Sequence, residues 1–202
     1  MKKAFAMTFF DRPTVVVARG LLGKYLVRRW RGRTLALMIT EVEAYDGPCD
    51  KASHASRGLT LRNRPMFGRA GKFYVYFTYG MHWLANIVTG PHGYPAAVLL
   101  RAGIYKDPRT GKAEYVQGPA RLTKFLRIGS AQNGMYTLKK NGLWFEDRGV
   151  KIPPSAIIAR KRIGVDYAGP LWANKKYNFA LRLPIFSSRP SSRASRRGTR
   201  TR

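Results

Sequence analysis

The chain has 202 residues, 45% of them hydrophobic and 12% aromatic, which is enough for one sizeable core and argues against a wholly disordered polypeptide. It carries 38 Lys and Arg against 10 Asp and Glu, a formal net charge of +28; such a charge asks for a polyanion, nucleic acid ahead of a membrane surface, since no strongly amphipathic basic helix is evident. No apolar run reaches the ~18 residues of a membrane span, the opening "MKKAFAMTFFDRP" lacks a signal-cleavage pattern, and the lone Cys49 excludes an internal disulfide and argues against a Cys-based metal site, which fits a reducing, intracellular setting.

In chain order, Pro13 opens a helix, an apolar run to Leu22 continues it and Gly23 stops it. Apolar-rich arms then flank Arg31-Gly32, a hairpin signal. "GKFYVYFTYGMHWLANIV" predicts a second hairpin, turning near Gly80 and Met81. "AAVLLRAGIY" predicts a strand and "GPARLTKFLRIG" a short helix, while "NGLWFED", "AIIARKRIGV" and "YNFALRL" predict further short strands. Hairpins dominate, without βαβ alternation or internal repeats. The expected fold class is therefore α+β, a single domain over residues 1–186 with a curved, mainly antiparallel sheet and short helices. Residues 187–202 hold six Arg, no acid and no large apolar side chain. They read as a disordered basic tail that either binds phosphates without sequence preference or is a solvated extension.

The scarce acids are unevenly spread. Glu41, Glu43, Asp46 and Asp50 all fall in "EVEAYDGPCDKASHASRG", residues 41–58, beside Tyr45 and His54, whereas 51–106 contains no acid. Strand alternation lines up Leu35, Leu37, Ile39, Glu41, Glu43 and Tyr45 on one face. If that row faces the core, the carboxylates sit where the core ends, at a pocket floor; the blander reading, favoured for an arbitrary strand, has the strand leaving the core at residue 41 and the glutamates meeting solvent. Tyr74 and Tyr76 share a face and Tyr79 sits at the turn. Strand aromatics usually pack, but beside cations they also hold unstacked bases. His54, His82 and His92 have no companion ligands at a metal-binding spacing, so no metal or other cofactor is expected.

"EVEAYDGPCDKASHASRG", "RNRPMFGRAGKFYVYFTYGMHWLANIV", "AAVLLRAG", "GPARLTKFL" and "RIGVDYAG", in this order, closely resemble the alkyladenine (3-methyladenine) DNA glycosylase family, from about residue 9 to about residue 183. The resemblance implies an enzyme that flips a damaged purine out of the duplex and hydrolyses its N-glycosidic bond, leaving an abasic site. It implies Glu43 as the general base that activates water, and Arg101 as the group that helps hold the water and Glu43. Tyr45, His54, Tyr76 and Asn86 match residues of the flipped-base pocket, and Tyr79 the DNA-intercalating wedge on a protruding hairpin. If that hairpin turns about Met81, Tyr76 and Asn86 lie opposite each other. The substrates implied are 3-methyladenine, 7-methylguanine, hypoxanthine and ethenoadenine. The partner implied is double-stranded DNA, bound by a monomer, without a membrane; the location is cytoplasmic and nucleoid-associated in a prokaryote, nuclear in a eukaryote.

The chemistry suits the residues. Loss of a purine passes through an oxocarbenium-like sugar, which a carboxylate stabilises while taking a proton from water. No lysine stands in the motif as a Schiff-base nucleophile, so a monofunctional glycosylase is expected. Glu41, Asp46 and Asp50 either tune the field around Glu43 or bond to Arg57, Arg62 and Arg64, and the acid-free 51–106 stretch reads as the phosphate-facing surface. The sequence departs from the family pattern at Trp83 and Ala85 in "WLAN" and after Leu183. The rival reading is a non-catalytic basic nucleic-acid-binding protein, which has no use for a carboxylate in an aromatic pocket. A further rival is an inactive relative, against which the intact Glu43 argues.

Overall fold

The computed structural model describes residues 2–182; the basic tail expected over 187–202 lies outside them. A short strand β1 (Lys3–Ala4) leads to helix α1 (Thr14–Leu21). Pro13, with φ preset near the helical value, stands just before the helix, and Gly23 follows it at φ +76, where a Cβ would meet Ile152 at 2.6 Å. The hairpin expected around Arg31-Gly32 is β2 (Tyr25–Trp30) and β3 (Arg33–Tyr45); the second is β4 (Phe73–Thr78) and β5 (His82–Val88). Then come β6 (Ala97–Lys106), β7 (Ala113–Gln117), helix α2 (Pro119–Phe125), β8 (Leu143–Asp147), β9 (Ile157–Arg160), helix α3 (Gly169–Ala173) and β10 (Asn178–Leu181). β1, β7 and α3 were not expected from the sequence. β9 ends at Arg160, so that "RIGV" is loop.

The strands form one curled antiparallel sheet of 10 strands in the order β1-β8-β2-β3-β6-β5-β4; β10 and β9 extend from β3, and β7 lies on β6. This is the α+β, mainly antiparallel single domain that the hairpin-rich sequence predicts. Long β3 organises it. One edge pairs with β6, while β2 and then β10 share the other. The main core packs on one face of the sheet and includes Val17 and Leu21 of α1, Leu26, Leu37, Ile87 and Phe145. Burying each such side chain contributes roughly 1.5–3 kcal/mol. A smaller cluster with Met66, Tyr74 and Val88, and another with Ala52, Val165 and Ala168, lie apart from that core. Tyr76 packs against the first and Tyr45 against the second.

The expected alternation along β3 does not run through to Tyr45. Ile39 pairs with Gly103, Glu41 with Ala102 and Val42 with Leu100, so the ladder slips once at Thr40 on β3 and back at Arg101 on β6. Each extra residue turns the following side chains to the other face. The main core therefore continues from Leu37 and Ile39 to Val42 and Ala44, not to Glu41 and Glu43. The two glutamates and Tyr45 occupy the opposite face. Gly103 accommodates the irregularity, because a Cβ there would meet both Leu37 and the Met38 carbonyl at 2.6 Å.

Candidate active site

The face that the double slip exposes carries one continuous row across five strands. Asn178 pairs with Glu43, Glu43 with Leu99, Leu99 with Asn86 and Asn86 with Tyr74. Above it is a cavity of about 380 Å³ lined by Tyr45, His54, Tyr76, Tyr79, Asn86 and Arg101, together with Tyr74, Leu99, Tyr167 and other residues. Six of the seven residues singled out from the sequence thus border one space. The seventh, Glu43, is 0% exposed and meets the cavity through three of its lining residues, Tyr45, Arg101 and Ile163. Its Oε2 accepts from the Tyr45 hydroxyl at 2.9 Å and from Arg101 Nη1 at 3.2 Å. Its Oε1 accepts from the Ile163 amide at 2.9 Å and from Asn178 Nδ2 at 3.0 Å. The glutamates do not meet solvent, as the blander reading of the strand had it. A second hollow, of about 610 Å³ and bordered by Met7, Asp11, Arg69, His92 and Tyr136, shares no residue with this one.

The other acids of 41–58 have separate tasks. Glu41, 8% exposed, accepts from Arg101 Nε at 3.3 Å and from Asn178 Nδ2 at 2.8 Å. Asp50 is fully buried in an ion pair with Arg162, whose Nη2 lies 2.8 Å from Asp50 Oδ1 and whose Nη1 bonds Asp50 Oδ2. The same guanidinium donates to the carbonyls of Ala44 and Trp172 and lies 4.8 Å from the Tyr45 ring centre. Asp50 thus fixes the loop that follows Tyr45 and, through Arg162, one side of the Tyr45 ring. Asp46 accepts from Thr14 Oγ1 at 2.9 Å and from Tyr94 at 3.3 Å. None of the three bonds to Arg57, Arg62 or Arg64, so that of the two alternatives offered for these acids this one is corrected; a distant arginine, Arg162, reaches Asp50. Arg62 instead lies 4.9 Å from the Tyr76 ring centre and donates to the Phe77 carbonyl.

His54 sits at the start of a short 3-10 turn, His54–Arg57, capped by the Ser53 side chain, which accepts from the Ala55 amide. Buried Asn63 pins this turn by donating to the carbonyls of His54 and Gly58. His54 Nδ1 and the Tyr74 hydroxyl share a hydrogen bond of 2.9 Å, and the His54 ring meets Tyr76 edge-on at 4.7 Å. Burial, then the charges of Arg62 and Arg57, lower the pKa of His54. Burial pushes the Tyr76 phenol up to about 12, and burial followed by the Glu43 carboxylate raises Tyr45 well above the ordinary phenol value. These hydroxyls remain protonated near neutral pH, so Tyr45 is a donor to Glu43.

The β4–β5 hairpin turns on Tyr79, Gly80 and Met81, with the Met81 amide bonded to the Thr78 carbonyl. The turn is centred on Gly80. Tyr76 therefore faces Leu84, and it is Tyr74 that faces Asn86, two residues away from the partner expected for a turn about Met81. Both Tyr76 and Asn86 still reach the cavity, but Asn86 is buried and donates to the Tyr74 carbonyl at 3.0 Å. Tyr79 is 86% exposed at φ +52, a left-handed conformation unusual for a tyrosine, and Met81 is also exposed beside it. Asn178, the Ile163 amide and the Asp50–Arg162 pair were missed as site groups. "RIGVDYAG" belonged to the resemblance and could have flagged Arg162 and Ile163; nothing local marks Asn178. Among the described residues, no group of three or more His, Cys, Asp or Glu side chains could hold a metal ion, and no helix is long and apolar enough to cross a membrane.

Residues 8–183 match the family described as Methylpurine-DNA glycosylase (MPG). A relative from Methanocella arvoryzae, named "Putative 3-methyladenine DNA glycosylase", is 47% identical over 174 residues, covering 80% of this chain and 84% of the relative. One of the same name from Anaeromyxobacter sp. is 45% identical over 184 residues, covering 91% and 92%. A third, again so named, from Streptomyces avermitilis is 43% identical over 172 residues, covering 80% and 81%. The chain belongs to the methylpurine-DNA glycosylase family and is a DNA glycosylase, a base-excision repair hydrolase of N-glycosidic bonds.

Proposed function

We propose that this glycosylase flips alkylated or deaminated purines out of duplex DNA into the 380 Å³ cavity and hydrolyses the bond with a water activated by Glu43. The observation that carries this reading is the position of Glu43: a buried carboxylate bonded to Tyr45 and Arg101, both on the wall of an aromatic cavity at the foot of an exposed hairpin. Tyr45 and Tyr76 offer ring surface to a planar base, and Asn86 and the His54–Tyr74 pair offer polar edges. Tyr79 fills the gap left in the stack.

The proton leaves water at the Oε2 edge of Glu43, between the Tyr45 hydroxyl and the Arg101 guanidinium. That transfer comes last: while the C1′–N bond breaks, Glu43 is still a carboxylate facing the cationic sugar, and as the water oxygen bonds C1′ its proton passes to Glu43, which becomes the neutral acid. A purine alkylated at N3 or N7 is already a cation and departs without further protonation. Among the described residues, no lysine lines the cavity, which supports hydrolysis alone, ending at an abasic site. The excess of positive charge supports binding to the duplex backbone, and relatives in prokaryotes support a cytoplasmic, nucleoid-associated enzyme. The test is direct: incubate the protein with duplexes bearing 3-methyladenine, 7-methylguanine, hypoxanthine or ethenoadenine, and measure free base and abasic sites. Intact strands for all four lesions overturn the reading.

A further inference from the structure

Asn178 stands directly opposite Glu43 across the β10–β3 ladder and is 1% exposed. Its single amide nitrogen has two hydrogens and two acceptors: Glu41 Oε1 at 2.8 Å and Glu43 Oε1 at 3.0 Å. On the other side, Arg101 spans the same two carboxylates, Nε to Glu41 Oε1 and Nη1 to Glu43 Oε2. The two glutamates are thus closed into a ring by one guanidinium and one amide. The amide orientation is decided by chemistry: turned over, its oxygen would face two carboxylate oxygens. As it stands, Oδ1 is buried without a partner among the described residues. The fold tolerates that orphaned acceptor so that both N–H bonds are directed at the acid pair.

We propose that Asn178 is a positioning residue for the carboxylate that activates water: it holds Glu43 and Glu41 together without neutralising either. This rests on the reading of Glu43 above. Two buried like charges repel, and one arginine offsets only one of them. A cation at position 178 would leave Glu43 less able to take a proton, and an acid would add a third carboxylate to the ring. A neutral side chain with two hydrogens on one nitrogen satisfies both glutamates, leaves one negative charge in the ring, and fixes the rotamer of Glu43 from the side away from the cavity.

Three variants test this: Asn178→Asp, Glu41→Gln and the double variant. The measurements are single-turnover release at saturating enzyme from a duplex with one 7-methylguanine, the Kd for that duplex, and the thermal midpoint. Asn178→Asp preserves shape and replaces two donors with acceptors. It is expected to slow release by roughly 10–100-fold, less than removal of a general base costs, with Kd for the duplex close to wild type and a lowered thermal midpoint, since a third buried carboxylate joins the other two. The double variant removes the added charge and restores a donor at position 41, and should recover about tenfold of the loss. A wild-type rate in Asn178→Asp overturns the proposal, as does a loss that the double variant does not recover. If Asn178→Asp does not fold, Asn178→Ser, whose hydroxyl can bond at most one glutamate, must still slow release more than binding; equal rates overturn the proposal. A wild-type enzyme that releases no purine overturns the function itself, a result distinct from an active enzyme indifferent to residue 178.

Discussion

Tyr45 donates its hydroxyl to Glu43 Oε2 at 2.9 Å, two positions back along the same strand. Residues two apart share a strand face, and the slip at Thr40 puts that face on the cavity and not the main core. The contact joins a ring on the cavity wall to the buried carboxylate that we propose activates water. Arg162 fixes the far side of the same ring, and Asp50 holds Arg162.

Glu43→Gln keeps the shape of the side chain and removes the proton acceptor. Base release should fall by ~10²–10⁴-fold, while affinity for lesion-containing duplex stays within a few-fold of wild type. Single-turnover kinetics beside equilibrium binding decide it. Release at the wild-type rate would falsify the assignment of Glu43 and make Glu41 the next residue to replace.

Tyr79→Ala should lower the population of flipped base, because nothing then occupies the vacated stack. An aromatic stacked on a base is worth ~1–3 kcal/mol, a loss of roughly 5- to 150-fold. A fluorescent base analogue opposite a pyrimidine reports flipping directly. If its signal is unchanged, the exposed tip of the hairpin is not the wedge.

Asp50→Asn leaves Arg162 buried against a neutral partner. Breaking a fully buried ion pair from one side typically costs about 3–5 kcal/mol, a large part of the ~5–15 kcal/mol that stabilises a domain. Urea denaturation should show this loss together with impaired base release, since Arg162 also supports the Tyr45 ring. A stability within 1 kcal/mol of wild type would mean that the pair is not the fastener of the loop after Tyr45, the figure being well below the ~3 kcal/mol expected.

His54 has a lowered pKa, mainly from burial. A folded-state value below the unfolded one, about 6.5 for imidazole, means the unfolded chain binds the proton more readily. The contribution of His54 to stability is therefore complete above that value and is lost as pH falls below it. Thermal midpoints measured from pH 7.5 down to pH 5 should drop more steeply for wild type than for His54→Gln. Parallel curves would exclude any such linkage at His54.

Asn86→Ser opens space beside the cavity and removes the bond to the Tyr74 carbonyl. Guanine differs from adenine and hypoxanthine by its 2-amino group, which a side chain at this place can reject by crowding and by unpaired polar atoms. The variant should release more normal guanine, above all from G·T mismatches where flipping is easier, and keep most of its activity on hypoxanthine. Guanine release no greater than wild type, with hypoxanthine release intact, would show that Asn86 serves the strand and does not gate the pocket.

The residue types of the site were legible in the sequence, because the family pattern and the clustering of four acids in 41–58 both lie in contiguous stretches. The hairpins were legible too, since turn residues and apolar arms act locally. Register was less so: a turn centred on Gly80 instead of Met81, one residue earlier, moves the partner of Asn86 by two residues, from Tyr76 to Tyr74.

By itself, then, the sequence determined the family and the antiparallel α+β plan, and it named Glu43, Tyr45, His54, Tyr76, Asn86, Arg101 and Tyr79, which the structure gathers around one cavity. Tertiary structure alone decided which face Glu41 and Glu43 occupy, because a slip in a ladder depends on the partner strand and leaves no trace in the period-two pattern of β3. It alone brought Arg162 to Asp50, 112 residues away, and Asn178 to Glu43, 135 residues away. Contacts at such separations are chosen by the packing of the whole sheet, which buries a carboxylate only where distant donors arrive to meet it.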